Sequence, residues 1–213
     1  MSYIYTLLPS MLEGLTTTLE VFALTLLLSI PLGVFVALCR LSKVKVISDI
    51  TQLYIWIMRG TPLLLQLIFV FFGLPIVGVN FNRFTAALIA FVLNYGAYFG
   101  EIFRCGIEAV DVGQYEAAEV LGLTQAQTFM RIILPQMIKM VLPPVANEVI
   151  TLVKDTSLVY VVGLGELLRA GKIASNRDAS LTPLVVVAIF YLLFTAVLTK
   201  IFKSLENRYG YYR

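Results

Sequence analysis

The chain has 213 residues, 59% of them hydrophobic and 14% charged, against about 25% charged in soluble domains, and this deficit points to a membrane protein. A net charge of +3 gives no reason to expect a nucleic-acid partner, and the absence of histidine removes the usual general base and the commonest metal ligand. Cys39 and Cys105 follow no metal-site spacing and read as apolar fillers.

A helix needs about 20 apolar residues to cross the hydrocarbon core. The opening MSYIYTLLPSMLEGL carries no positively charged run, so no cleaved signal peptide is expected and the first apolar run should stay in the bilayer. That run is VFALTLLLSIPLGVFVAL, Val21 to Leu38, extended by Gly and Thr toward Gly14. A basic loop with Arg40, Lys43 and Lys45 follows. The second span is the uncharged stretch from Gly60 to Asn82, opened by Thr61-Pro62. Arg59 stands at its border, where snorkelling to headgroups is the simpler role. The third span is uncharged from Phe84 to Gly100 and then meets Glu101.

A soluble-looking segment comes next. Gln114 to Arg131 is rich in good helix formers, Gly122 should break or bend it, and a second short helix over Thr124 to Ile133 is expected, capped by Thr124. The fourth span, Met137 to Leu164, is apolar but carries Lys139, Glu148, Lys154 and Asp155. Each such charge costs about 2.5–3.5 kcal/mol at mid-bilayer, so the segment can span only with its polar side against other helices or a watery path. Its most polar cluster, Lys154-Asp155-Thr156-Ser157, follows Pro143-Pro144, where a kink is expected; irregular backbone is tolerated in membranes where it lines a cavity. Lys154 and Asp155 could instead cap the outer end of the helix, and Glu148 has no obvious partner. GLGELLRAGKIASNRDAS, Gly163 to Ser180, reads as a loop with a short surface helix bearing Arg169, Lys172 and Arg177. It is no phosphate loop: Gly165 and Gly171 are too far apart, and Ile173 replaces the required Ser or Thr. Ala179 to Thr199 forms the last span, followed by Lys200, Lys203, Arg208 and Arg213.

Basic residues favour the cytoplasm. With the N-terminus outside, the Arg40–Lys45 loop, Arg104 and Arg131 are inside, and most basic residues are inside whether the spans number four or five. Both arrangements put residues 104–131 in the cytoplasm. In the third span, Asn94, Tyr98 and Glu101 share one helical face, and Asn94 lies about 16 Å in from Arg83 at 1.5 Å per residue. An amide at that depth needs a partner, either a neighbouring helix or a ligand. Glu101 could pair with Arg59 or Arg104 or face the cargo, and Gln66 could face a path or a neighbouring helix.

Glu116-Ala117-Ala118, three residues, Gly122, nine residues and Ile132-x-Leu134-Pro135 resembles the EAA loop of ABC importer permeases at every position of that pattern. RGTPLLLQ (Arg59–Gln66), NYGAYFGEIFR (Asn94–Arg104), VKDTSL (Val153–Leu158) and Gly14 with Thr18-Leu19 are similar to signatures of the polar amino-acid subfamily. The resemblance covers nearly the whole chain; Cys105 and Tyr95 stand where smaller residues are common.

What the resemblance implies is an all-α membrane protein, one transmembrane domain over residues 1–213, with five transmembrane helices. Its N-terminus is outside, its C-terminus cytoplasmic, and its coupling helices lie between spans three and four. It implies a multi-pass permease of the cytoplasmic membrane, with the bilayer around it. Its partners are two ATPase subunits, a second permease subunit, identical or homologous, and an extracytoplasmic binding protein. Glu116, Ala117, Ala118, Gly122 and Arg131 would serve ATPase coupling, the alanines by their small size and Glu116 as an acidic contact. Asn94, Tyr98, Glu101, Asp155, Thr156, Ser157 and Gln66 would meet the cargo. Asp155 suits an amino acid's ammonium; Thr156, Ser157 or backbone suits its carboxylate. No catalytic residue, cofactor or metal is expected in this chain, ATP and Mg belonging to the ATPase. The rivals are a secondary transporter driven by an ion gradient, which the absence of an inverted repeat disfavours, and a scaffold that transports nothing.

Overall fold

A computed structural model describes residues 2–209, and among them every regular element is helical. Helix α1, Ser2–Arg40, is one element of 39 residues, about 58 Å long. It therefore begins well before the apolar run that identifies it. A short turn leads into α2, Lys45–Gly60, where the sequence suggests only a loop. Thr61 and Pro62 interrupt the chain, and α3, Leu63–Ile68, continues through a π-helical turn and a 3-10 turn to Val77. The axes before and after the interruption differ by 103°.

Helix α4, Arg83–Glu108, starts on Asn82, whose side chain accepts from the Thr85 N–H at 2.8 Å. The helix pair α5, Val112–Val120, and α6, Gln125–Thr128, follows. A π-helical turn, Phe129–Ile133, joins α6 to α7, Leu134–Asp155. The α-helix runs on through Pro143-Pro144 and changes character only past Asp155, tightening into 3-10 turns over Thr156–Val162. Helix α8, Leu167–Asp178, and the long apolar α9, Thr182–Tyr209, complete the chain.

Among the described residues, four helical stretches are long and apolar enough to cross a membrane: Tyr5–Arg40, Arg83–Glu108, Gln125–Val162 and Thr182–Tyr209. The bent pair of α2 and α3 makes a fifth when taken as one broken span. The expected second span, Gly60 to Asn82, thus corresponds to its second half only, and Pro62 precedes the helix rather than lying in its first turn. The first half escapes a hydropathy reading because Asp49, Gln52 and Arg59 punctuate it.

The centre of the fold is the packing of α1 on α4. Gly96 and Gly100 are one turn apart on α4, and a Cβ at either would lie 2.6 Å from Leu32 or 2.5 Å from Val36. Small residues at this spacing let membrane helices approach closely. Replacing Gly100 by Leu is expected to cost at least the 1–3 kcal/mol typical of overpacking (~2 kcal/mol) and to lower the yield of folded protein, measured by size-exclusion profile in detergent.

At the other end, α8 is tied to α1 and α9 by Glu166, which is wholly enclosed. Its carboxylate accepts from the Leu168 and Arg169 N–H groups, both at 2.6 Å, and from the Tyr191 hydroxyl at 3.3 Å, while the Leu167 N–H donates to the Thr18 hydroxyl at 3.2 Å. Burial pushes the Glu166 carboxyl above its ordinary range, against the pull of those donors. A carboxyl raised by folding holds its proton more firmly in the folded state, so its contribution to stability falls as pH rises past the unfolded value. Melting the wild type between about pH 5 and about pH 8 should therefore show a decline that Glu166→Gln, which keeps one acceptor oxygen, largely removes. An equal decline in both proteins would assign the pH response elsewhere.

Candidate translocation cleft and coupling segment

The interruption between α2 and α3 is held by amides. Asn94 is 4% exposed, and its Nδ2 donates to the Met58 carbonyl at 2.9 Å and to Gln66 Oε1 at 3.0 Å. Gln66 Nε2 donates in turn to the Met58 carbonyl at 2.9 Å and the Thr61 hydroxyl at 2.8 Å. Breaking a helix frees backbone carbonyls, and in a membrane these must be satisfied internally. Asn94 and Gln66 do so, and this contact also sets depth. Asn94 lies about 16 Å along α4 from Arg83, so the end of α2 that it touches reaches the same level. Arg59 stands beside this junction, and its guanidinium lies over the Tyr98 ring, 5.1 Å from the centroid.

Beside this junction opens a cleft of about 600 Å³, lined by Arg59, Asn94, Tyr95, Tyr98, Glu148 and Asp155, with Thr151 between the two carboxylates. Glu148, Thr151 and Asp155 are brought together by the helical repeat of α7. Tyr95 is buried, and its hydroxyl donates to Asp155 Oδ2 at 2.8 Å. A second cavity of about 620 Å³ continues from the first, sharing Arg59, Gly60 and Tyr98, and is bordered by Arg40, Glu101 and Arg104. Glu101 is already occupied: Arg104 donates to it at 2.6 and 2.9 Å and also pairs with Glu108.

The structure therefore groups Asn94, Tyr98 and Asp155 in the cleft, places Gln66 behind Asn94, and sets Glu101 in the adjoining cavity. It does not bring in the other two expected hydroxyls. Thr156 is fully enclosed and donates to the Val153 carbonyl at 2.6 Å. Ser157 donates to the Lys154 carbonyl at 2.7 Å and, with Lys154, borders a different groove, between α7 and α9. The reason is geometric, since consecutive residues at the end of a helix point in different directions. Glu148 and Thr151, which the sequence reading leaves out of the site, are in it; the signal was their spacing from Asp155. Arg59 and Tyr95 also enter, the first assigned to headgroups and the second noted only as standing where smaller residues are common.

The α5–α6 segment follows its sequence closely. Asp111 caps α5, accepting from the Gly113 N–H at 2.7 Å. The helix closes on Gly122, at φ +72°, with the Leu123 N–H donating to the Ala118 carbonyl at 3.0 Å and the Gly122 N–H to the Glu119 carbonyl at 2.9 Å. This is the Schellman arrangement, which calls for a left-handed residue. Thr124 and Gln127 then form a reciprocal capping box at the start of α6. Glu116, Ala117 and Arg131 are exposed, whereas Ala118 is buried against its own chain and offers no surface to a partner. Ahead of Val112 and Met130, the most exposed large apolar residues of this segment are Val120 and Leu121, at 87% and 75%. Neither is among the expected coupling residues; their signal was two large aliphatics beside a glycine in an otherwise polar segment.

The α8 helix appears where expected, but all three of its basic residues are engaged. Arg169 donates to the Gly163 carbonyl, and the Lys172 ammonium lies 4.1 Å from the Tyr160 ring centroid. Arg177 pairs with Asp178 at 2.6 Å while remaining largely exposed. Asp178 also accepts from the Tyr3 hydroxyl at 2.6 Å, and these two donors, Arg177 first, hold its carboxyl down at about 2.

Comparison with known proteins is consistent with this architecture. The family model for the binding-protein-dependent transport system inner membrane component matches residues 29–211. The arginine transport system permease protein ArtQ of Bacillus subtilis (strain 168) is 38% identical over 203 residues, 94% of this chain and 93% of that protein. The putative glutamine transport system permease protein GlnP of Rickettsia conorii (strain ATCC VR-613 / Malish 7) is 35% identical over 198 residues, 92% of this chain and 91% of that one. A crystal structure of an amino acid ABC transporter with histidines superposes with a TM-score of 0.90 at 36% identity, covering 97% of each chain. With these matches spanning nearly its full length, the chain belongs to the binding-protein-dependent transport system inner membrane components, the permeases of ABC importers.

Proposed function

We propose that the chain is the membrane-spanning subunit of an ATP-driven importer of polar amino acids. The observation that carries the reading is a cleft lined together by Arg59, Glu148 and Asp155. An amino acid carries one carboxylate and one ammonium, and a guanidinium with carboxylates is the complementary set. Arg59 takes the α-carboxylate and Asp155, steadied by Tyr95, the α-ammonium. The relatives named for arginine and glutamine support the same class of cargo.

In this reading the N-terminus is outside and the C-terminus in the cytoplasm. The broken span and the four continuous ones make five. Helices α5 and α6 lie on the cytoplasmic face and dock on an ATPase through Glu116, Ala117, Val120 and Leu121. Two ATPases and a second permease subunit, identical or homologous, complete the transporter in the cytoplasmic membrane. ATP and Mg act in the ATPases, and this chain catalyses nothing. An external binding protein delivers cargo over α8. Its landing surface is tested by Ile173→Glu with Arg177→Glu, both positions exposed; stimulation of ATP hydrolysis by the binding protein should fall, and unchanged stimulation counts against this surface.

The whole reading is tested by reconstituting the chain with its ATPase and binding protein in liposomes. Amino-acid uptake should require ATP and stop when it is withdrawn. Uptake that continues without ATP under a proton gradient would overturn the reading in favour of a secondary transporter.

A further inference from the structure

We infer that the cleft selects amino acids with a cationic side chain. This rests on the reading that the cleft carries the cargo, and it follows from a count of the charges that reach it. In the sequence, Glu101, Glu148 and Asp155 could be balanced by Arg59, Lys154 and Arg104. The fold separates these groups. Glu101 is paired with Arg104 and borders the adjoining cavity. Lys154 borders the groove between α7 and α9, on another side of α7 from the cleft. Two carboxylates, Glu148 and Asp155, and one cation, Arg59, remain in the cleft. None of the three belongs to an ion pair among the described residues, where the pairs are Arg104 with Glu101 and Glu108, and Arg177 with Asp178.

The sum decides the cargo. A zwitterionic amino acid with a neutral side chain satisfies Arg59 and one carboxylate, and leaves the other unpaired within the cleft, where an uncompensated charge is expensive. An acidic side chain adds a second like charge. Lysine or arginine brings one carboxylate and two cations, the complement of one guanidinium and two carboxylates. The spacing agrees. Glu148 and Asp155 are seven residues apart on one face of α7, about 10 Å along the axis, a distance that one long basic side chain can bridge with a charge-assisted hydrogen bond of about 2.8 Å at each end. Tyr95 already donates to Asp155, leaving Glu148 as the carboxylate for the side chain. The aromatic ring of Tyr98, under Arg59, offers a face to a second cation as well.

Because the binding protein imposes its own selection, the test uses the permease–ATPase complex in detergent without it, and measures equilibrium binding of radiolabelled L-arginine, L-glutamine and L-glutamate. Arginine is expected to bind about tenfold or more tighter than glutamine, with glutamate weakest. Glu148→Gln should weaken arginine by about tenfold and glutamine by less, shrinking the gap. Glutamine or glutamate binding as tightly as arginine would overturn the cationic selection while leaving the amino-acid cleft in place. Arginine preference unaffected by Glu148→Gln would overturn the role given to that carboxylate. Failure of all three amino acids to bind would overturn both the selection and the reading on which it rests.

Discussion

Gly122→Val is expected to reduce ATP-driven uptake by about tenfold or more, whereas Gly122→Asn should retain most of it. A Cβ at Gly122 would meet nothing within 4 Å, so crowding does not distinguish the two substitutions. The backbone does. Gly122 sits at φ +72°, a conformation that costs an ordinary L-residue about 1–2 kcal/mol, and that asparagine visits far more readily than a β-branched residue. Valine therefore opposes the turn that closes α5 and aims α6. The two helices would still form from their own caps, on Asp111 and Thr124, but at the wrong mutual angle for one ATPase groove. The readouts are uptake, ATP hydrolysis and co-purification of the ATPase, measured together. Uptake lost while hydrolysis persists is uncoupling; an ATPase that no longer co-purifies is failed docking. Either fits the account, and full uptake in the valine variant contradicts it. Glu116→Lys, at an exposed position, tests the same contact through charge rather than shape and should weaken ATPase association.

Asp155→Asn is expected to have the second large effect, lowering uptake by about tenfold or more through lost cargo affinity. The substitution keeps size and an acceptor for the Tyr95 hydroxyl, now at 2.8 Å from Oδ2, and removes the charge that faces the ammonium. Folding should be little changed, so thermal stability in detergent separates this variant from one that merely misfolds. Asn94→Ala behaves differently. It removes two hydrogen bonds that satisfy the broken span, so it should lower stability and uptake together. Leaving polar groups unpaired in this setting costs about 1–3 kcal/mol. If Asp155→Asn transported at the wild-type rate with unaltered affinity, the cleft would not be where cargo binds.

The sequence reading and the structure agree where local chemistry decides, and part where three-dimensional placement does. The α5–α6 turn was legible because its determinants, Gly122 and the Thr124 cap, are neighbours in sequence; the Asp111 cap and the Gln127 half of the capping box, equally local, were not read. The long apolar helices were legible from hydropathy. Helix α2 was not, because its Asp49, Gln52 and Arg59 break the apolar run and its role depends on pairing with α3 across Thr61-Pro62. Within the cleft, Asn94 and Tyr98 could be grouped by helical spacing, and Glu148 and Thr151 carried the same signal relative to Asp155. Thr156 and Ser157 were selected for adjacency to Asp155, which on a helix places side chains on different faces. The place of Arg59 in the cleft was hidden for a related reason: Asn94 holds the neighbouring Met58 carbonyl, a contact across 36 positions of the chain.

The central claim is that α5 and α6 project from the cytoplasmic face, where an ATPase can drive them. It is tested most directly by placing a single cysteine at Gln125, which is exposed on α6, in a background with Cys39 and Cys105 replaced by alanine. A membrane-impermeant thiol reagent should leave this cysteine untouched in intact cells and label it fully in inside-out vesicles. Labelling from the outside of intact cells would contradict the topology, and with it the coupling of this chain to ATP.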